Sequence, residues 1–364
     1  MVILAIVVIV FMAVLVFIRL PGFGQPPSGE RLARIKQSPN YKNGQFQNLS
    51  PTPAIAEDTN IYRVLKQFIF NKSKRTRPAG SIPSRKTDLL SLAPGEDVLV
   101  WFGHSSYFIQ LDGKKILVDP VLSGHASPFS FTTKSFPGSD IYTADEIPAI
   151  DYLFITHDHY DHLDHDTMLR LMPKIGKVIT GLGTGAHLER WGYDKDMIIE
   201  KDWNEEIVLD KGFIVHTVSA RHFSGRAFKR NISLWMSFVL QTPTMKLFIG
   251  GDSGYDRHFA DIGQQYGPFD LAILENGQYD KNWKYIHMMP EEVVQAAEDL
   301  RAKKLLPVHW SKFSLSVHAW DEPPIRVYKE AQRKKMPILL PLIGEAMPLK
   351  GNITAVAWWT EHNL

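Results

Sequence analysis

Nine residues constrain this chain more than any others: Thr156-His157-Asp158-His159-Tyr160-Asp161-His162-Leu163-Asp164. The run Tyr152–Thr156 before them is apolar and strand-like, and Asp164 is a good N-cap for the helical pattern that follows. The segment is therefore a turn between the C-terminal end of a strand and a helix. His157 and His159 stand at i and i+2, so in extended backbone both imidazoles point to one side and can share an ion. Asp161 and His162 come after the chain has begun to turn and can reach a second ion. Four ligand-type side chains in six residues are costly to bury unless a metal satisfies them. A solvated polar loop explains the same letters if they are taken alone.

They are not alone. His222 follows the strand-like run Phe213–Val218, Asp252 follows Lys246–Ile249 inside Gly250-Gly251-Asp252-Ser253-Gly254, and His309 follows Leu305–Val308. Singly, each has a plain explanation: a hydrogen-bonded interior His, or an Asp serving a Gly-rich turn. Four strand ends that each deliver an N or O ligand are much harder to dismiss. The chain has no Cys, which excludes disulfide frameworks, zinc ribbons, iron–sulfur clusters and thiol nucleophiles. Any metal must then be held by His, Asp and Glu, and there are 14 His to draw on.

Strand-like runs also cover Val98–Phe102, Tyr107–Leu111, Lys114–Val118, Lys177–Thr180, Ile232–Gln241, Leu271–Leu274 and Thr354–Trp359. Asp112-Gly113 joins two of them as a hairpin signal. Helical patterns occupy His165–Met172, Ala186–Trp191, Pro290–Ala302 and Pro324–Lys335. Hairpins first, then strands alternating with helices, give an α/β class. Gly181-Leu182-Gly183-Thr184-Gly185 has the look of a phosphate loop, but a lone Gly-rich run reads better as a tight strand-to-helix turn.

The termini of this pattern define three parts: residues 1–20, a basic arm over 21–95, and a body over 96–364. Val2–Ile18 is 17 residues without charge or strong polarity, closed by Arg19 and Pro21. As a helix it is roughly 26 Å long, near a bilayer core, and predicts a transmembrane anchor. No Lys or Arg precedes it and no small-residue cleavage site follows, so a signal peptide fits poorly. Arg19, Arg31, Arg34 and Lys36 all lie after it, which predicts a single pass with the body in the cytoplasm. From Arg31 to Lys86 there are 12 Lys and Arg against Glu57 and Asp58. Such an arm beside an anchor is expected to face an anionic membrane surface.

The set His157-x-His159-x-Asp161-His162, then His222, Asp252 and His309 in that order, resembles the metallo-β-lactamase superfamily. Trp101-Phe102-Gly103-His104, Leu117-Val118-Asp119-Pro120, Ser219-Ala220-Arg221-His222, Gly251-Asp252-Ser253-Gly254-Tyr255, His287 before Pro290-Glu291-Glu292, and His309-Trp310 bring it nearest the zinc phospholipase D branch that hydrolyses N-acylphosphatidylethanolamines. The resemblance runs roughly from Leu99 to Pro324. It implies an αββα sandwich with metals at one edge of two sheets. It implies two Zn²⁺: one on His157, His159 and His222, one on Asp161, His162 and His309, with Asp252 bridging. Iron or manganese also fit an all-N/O set. Ile286 departs from the branch, which tends to carry Gln there.

Two divalent ions opposed by Asp161, Asp252 and a bridging hydroxide leave about one positive charge, which favours an anionic phosphodiester. The expected reaction is attack of that hydroxide on phosphorus, with Asp161 orienting it and His287 protonating the leaving alcohol or holding the phosphate. His104 and Asp119 are candidates for fixing the ligands' orientation. The expected partner is a phospholipid, with no nucleic acid: the 57 residues from Asp252 to His309 leave little room for an inserted nuclease domain. The alternative is a lactonase or another soluble-substrate metallo-hydrolase of the same fold.

Overall fold

The structure, a computed structural model, describes residues 4–5, 8, 11–12, 14, 19–70, 72–210, 212–226, 228–351 and 357–360. Strands β1 (Val98–Trp101), β2 (Tyr107–Leu111), β3 (Lys114–Val118), β4 (Ile150–Ile155), β5 (Ile175–Gly181) and β6 (Ile198–Lys201) belong to one sheet. Strands β7 (Glu206–Asp210), β8 (Phe213–Val218), β9 (Ser237–Gln241), β10 (Lys246–Ile249), β11 (Leu271–Glu275) and β12 (Leu305–Val308) form a second. Strand β13 (Ala346–Pro348) returns to the first sheet, whose order is β13-β1-β2-β3-β4-β5-β6. The second runs β12-β11-β10-β9-β8-β7. Each is antiparallel where hairpins build it, and parallel over β3–β6 and over β10–β12.

Alternation decides which residues face which layer. Leu99, Ile109, Ile116, Val118 and Phe154 turn toward Phe238, Leu240, Phe248 and Ile273 of the second sheet, in one continuous core. Their neighbours Val100, Phe108, Leu117, Leu153 and Ile155 point the other way, onto Met168, Leu171 and Leu188. Those three sit on helices α3 (His165–Leu171) and α4 (Gly185–Arg190), which follow α1 (Gly29–Ile35) and α2 (Ile61–Phe70) of the arm. Outside the second sheet, α6 (Pro290–Asp299) packs on β11 and β12, with α5 (His258–Tyr266) and α7 (Glu322–Lys334) against it. The layers are thus helix, sheet, sheet, helix.

Local chemistry explains the joints. Asp112 and Gly113 between β2 and β3 take φ of 49° and 77°, the pair of positive values that a two-residue hairpin needs. Pro290 opens α6, where its missing N–H costs nothing. Asp164 does stand at the N-cap of α3, but its carboxylate takes the Thr167 hydroxyl and the Ser123 N–H rather than the helix's own amides. In the 181–185 turn, the Gly183 and Gly185 N–H groups donate to Glu200 Oε1 at 2.7 and 2.9 Å. An internal carboxylate fills that turn.

The expected membrane-spanning helix is corrected. No helix among the described residues is long and apolar enough to cross a membrane, and most of Val2–Ile18 lies outside the described residues. Its 17 uncharged residues stand at the short limit of the roughly 17–25 that a spanning helix uses. The chain is also tied down directly after them, where Arg190 donates to Arg19 O at 2.5 Å and Trp191 Nε1 to Pro21 O at 2.9 Å. The single-pass anchor falls, and the cytoplasmic assignment that rested on it falls too.

The arm lies along the body. Arg31 Nε meets Glu200 at 2.6 Å and its other nitrogens meet Glu189; Lys86 pairs with Glu146, Arg85 with Glu345 and Arg75 with Asp321. Part of the arm's positive charge is therefore matched by the acidic body. Half of the last strand-like run, 354–356, lies outside the described residues, and Trp358–Thr360 forms a 3-10 turn rather than a strand.

Candidate metal centre

Strands β4, β8, β10 and β12 end at one rim, and the turns beyond them carry the donors. After β4 come His157, His159, Asp161 and His162; after β8, His222; after β10, Asp252; after β12, His309. Backbone geometry at this rim is demanding. His104, Asp119 and His309 hold φ of 52°, 40° and 70°, a left-handed conformation that costs a non-glycine residue energy and gathers at functional sites. His309 N donates to His104 O at 2.9 Å and His104 N to Trp310 O at 2.8 Å, which pins the two turns together. Gly251, just before Asp252, has no room for a side chain: a Cβ there would lie 2.7 Å from Met236 O and 2.8 Å from Thr156 Cβ.

Three groups result among the described residues, each with donor atoms within 4.8 Å of one another: two clusters, His157, His159, His222 and Asp252, and His104, Asp161, His162 and His309; and a third, Asp252, Glu275, His287 and His309, that shares a member with each. Asp252 faces both. Its Oδ1 is 3.2 Å from His162 Nε2 and 3.2 Å from His309 Nδ1; its Oδ2 is 3.6 Å from His222 Nε2 and 3.9 Å from His157 Nε2. Donors bound tetrahedrally at about 2.0–2.1 Å sit about 3.3 Å from one another, so this spacing suits metal ions. The bonding agrees. His162 Nε2 and Asp252 Oδ1 are buried and lack a hydrogen-bond partner, a costly arrangement that a cation between them would relieve. The donor set fits divalent metal.

Charge sorts the side chains. Burial holds His157, His222 and His309 well below the ordinary imidazole value, so they are neutral and ready to donate a lone pair. Burial opposes ionisation of Asp161 and Asp252, but nearby imidazoles, His162 foremost, outweigh it and hold both well below the usual carboxylate range. For His162, burial pulls down while Asp252, Asp161 and Asp119 lift it well above.

His104 and Asp119 lie where orientation is set. Asp119 accepts from His162 Nδ1 at 2.7 Å, from Thr156 N at 2.8 Å and from the Thr156 hydroxyl at 2.6 Å. That fixes His162 with Nε2 toward the centre. His104 Nε2 is 2.9 Å from Asp161 Oδ2, close enough to belong to the cluster itself. Asp119→Ala is expected to weaken metal binding about 10–100-fold, read by competition with a chromogenic chelator. Unchanged affinity would remove Asp119 from the site.

His287 reaches the rim with a partner the sequence reading missed. Glu275 ends β11, is buried, accepts Met288 N–H at 2.7 Å and lies 3.4 Å from His287 Nδ1. Burial pushes its carboxyl up to about 7. The signal was available: Glu275 directly follows Leu271–Leu274, the same strand-end rule that located the other donors. Asp158 was also missed. It is buried behind His157 and accepts from Gly225 N at 2.7 Å and the Ser233 hydroxyl at 2.6 Å, with His187 at 3.3 Å. Its role is to shape the turn.

Comparison with known proteins agrees. The profile of the "Beta-lactamase superfamily domain" matches residues 114–310, more than half of the chain. An uncharacterized protein of Mycobacterium tuberculosis is 37% identical over 328 residues, covering 89% of this chain and 88% of its own. N-acyl-phosphatidylethanolamine-hydrolyzing phospholipase D 1 of Caenorhabditis elegans is 29% identical over 287 residues, covering 72% and 80%. Among solved structures, Igni18, a metallo hydrolase of Ignicoccus hospitalis, aligns with a TM-score of 0.55 at 21% identity over 69% of this chain and 97% of its own, a likeness of fold alone. Two facing sheets, a rim of His and Asp from four strand ends, and a matching profile lead to one conclusion: this chain belongs to the beta-lactamase superfamily, as a metal-dependent hydrolase.

Proposed function

We propose that the chain is a binuclear phosphodiesterase acting on phospholipids, with His157, His159 and His222 holding one ion, Asp161, His162 and His309 the other, and Asp252 both. One observation carries the substrate class. A cavity of about 400 Å³ opens over the centre. One wall is His159, Asp161, His222, Asp252, His287 and His309; the other is apolar, with Ile55, Ile61, Val64, Phe68, Trp283 and Leu315. Arg230 completes it, its guanidinium stacked 4.2 Å over Phe223. Such a cavity suits a molecule with an anionic head and a hydrocarbon body.

Two divalent ions held there supply an activated water and neutralise phosphoryl charge. The chain's own groups do the rest. Asp161, anchored on His104, turns an anionic oxygen to the cavity and orients the attacking water. His287 keeps Nδ1 on Glu275 and has its other ring nitrogen for the leaving oxygen, to which it gives a proton. Arg230 sits where it can pair with a phosphate. The C. elegans relative named above, whose printed name gives a phospholipid substrate, supports the same reading.

The test is a panel on the purified protein loaded with zinc, iron or manganese in turn: N-acylated and ordinary phosphatidylethanolamine, a lactone, a β-lactam and single-stranded nucleic acid. Release of phosphatidic acid is expected. Turnover of the lactone or β-lactam alone would replace this reading with a soluble-substrate hydrolase.

A further inference from the structure

We propose that α2 and the tip of the 225–230 hairpin form one surface that seats the cavity mouth on an anionic lipid bilayer. The proposal deepens the phospholipid reading and rests on it only for the meaning of the mouth.

The apolar stripe of α2 is wider than the body can cover. Val64 and Phe68 line the cavity, and Gln67 is fixed by Asp280 and Asn282. At about 100° per residue, Ile61 at the cavity's edge and then Leu65, Ile69 and Tyr62 continue the same stripe away from Val64 and Phe68. They are 50%, 49%, 67% and 80% exposed, and Phe70 is 75% exposed. Isolated exposed apolar residues are ordinary; five on one ten-residue helix are a patch.

The hairpin supplies the facing edge. Gly225–Arg226 pairs with Lys229–Arg230, Arg230 lines the same cavity as α2, and Phe228 at the tip is 78% exposed. Two protrusions bordering one cavity therefore offer Tyr62, Phe70 and Phe228, with aromatic rings of the kind that partition to membrane interfaces.

Charge selects the occupant. From Thr59 to Thr87 there is no acidic residue, and Arg63, Lys66, Lys72 and Lys74 are exposed on or beside α2. Lys229 and Arg230 are exposed beside Phe228. Apolar side chains rimmed by cations complement an anionic headgroup layer over acyl chains. A second copy of this face would set like charges against each other.

The chain has no Cys, so Ile69→Cys, Phe228→Cys and Val208→Cys each create a single labelling position. Val208 serves as the control, being 68% exposed on the edge strand β7. Spin labels on the full, metal-loaded chain are read with phosphatidylcholine vesicles and with vesicles containing a quarter phosphatidylglycerol. Labels at 69 and 228 are expected to lose access to a water-soluble relaxer only on the anionic vesicles, while 208 keeps it. Arg63→Glu and Lys66→Glu are each expected to weaken that immersion by about fivefold or more. Labels at 69 and 228 that stay in water, or that sink no further than 208, overturn the surface. So does mutual immobilisation without vesicles, which would mean self-association. Immersion without release of phosphatidic acid supports the surface and removes the phospholipase reading. Release with both labels in water does the reverse.

Discussion

On the proposed binuclear reading, Asp252→Asn is expected to cost on the order of 10³-fold in turnover, together with at least one bound metal ion. Among the described residues, Asp252 is the side chain whose two oxygens face both clusters, Oδ1 toward His162 and His309, Oδ2 toward His157 and His222. Asn keeps the shape and removes the charge. It also turns an N–H pair toward imidazole nitrogens that need an acceptor or a cation. Both clusters then lose the anionic group they share, in a buried site where charge is weakly screened. Asp161→Asn touches one cluster only and should release one ion while leaving the His157 set occupied. Elemental analysis beside steady-state kinetics reads both variants, with circular dichroism confirming the fold. Full metal content and turnover within about tenfold of the parent would remove the bridging role.

The candidate donors stood out in the sequence because they share one rule, a ligand-type residue at or within a few residues of the end of an apolar strand. The strand is recognised by composition, and the turn after it is where a side chain can leave the sheet. Glu275 follows the same rule and was lost only because its partner, His287, lies 12 residues away across a loop. The strands that define the interior were equally plain: Tyr107–Leu111, Lys114–Val118, Phe213–Val218 and Lys246–Ile249 end where their apolar runs end. Edge strands were not. In β6 and β7, Lys201, Glu206 and Asp210 interrupt the pattern because an edge has one partner and a wet side, and Glu200 because it turns inward to the Gly183 and Gly185 N–H groups. Ile232–Met236 looked like strand and is not, since Leu234 and Met236 donate their N–H groups to Leu182 and Thr156, outside the ladder. The arm misled most. Its Pro, Gly and polar content concealed α1 and α2, whose stability comes from contacts more than a hundred residues distant, such as Arg31 with Glu200.

Stripping the metal is expected to lower the melting temperature by about 10 °C at pH 7, and the loss should deepen as the solution is acidified. The first figure follows from mass action for a single ion: at a thousand times its dissociation constant it contributes about 4 kcal/mol, and each kcal/mol moves a domain of about 150–250 residues by about 2–4 °C, so a second ion only enlarges the drop. The second follows from proton balance in the stripped protein. Burial holds His104, His157, His159, His222 and His309 below the ordinary imidazole value. In the unfolded chain they titrate near 6.5, so below that pH the unfolded state binds more protons and stability falls as pH falls. His162 and His287 work the other way. Burial opposes their charge, yet neighbouring carboxylates raise both, and their contribution is present below about 6.5 and lost as pH rises through the folded value. Glu275, pushed up by burial to about 7, joins them, and five groups against three give a net loss on going from pH 7 to 5. The lowered carboxyls of Asp161 and Asp252 add to it only below about pH 4. In the loaded protein each ion holds its imidazoles deprotonated, so the same acidification should first appear as metal release. Differential scanning calorimetry of stripped and reloaded protein at pH 5, 6 and 7 measures both effects. Equal melting temperatures at pH 7, or a stripped protein that gains stability toward pH 5, would mean that these imidazoles are not the buried, metal-ready set that the geometry describes.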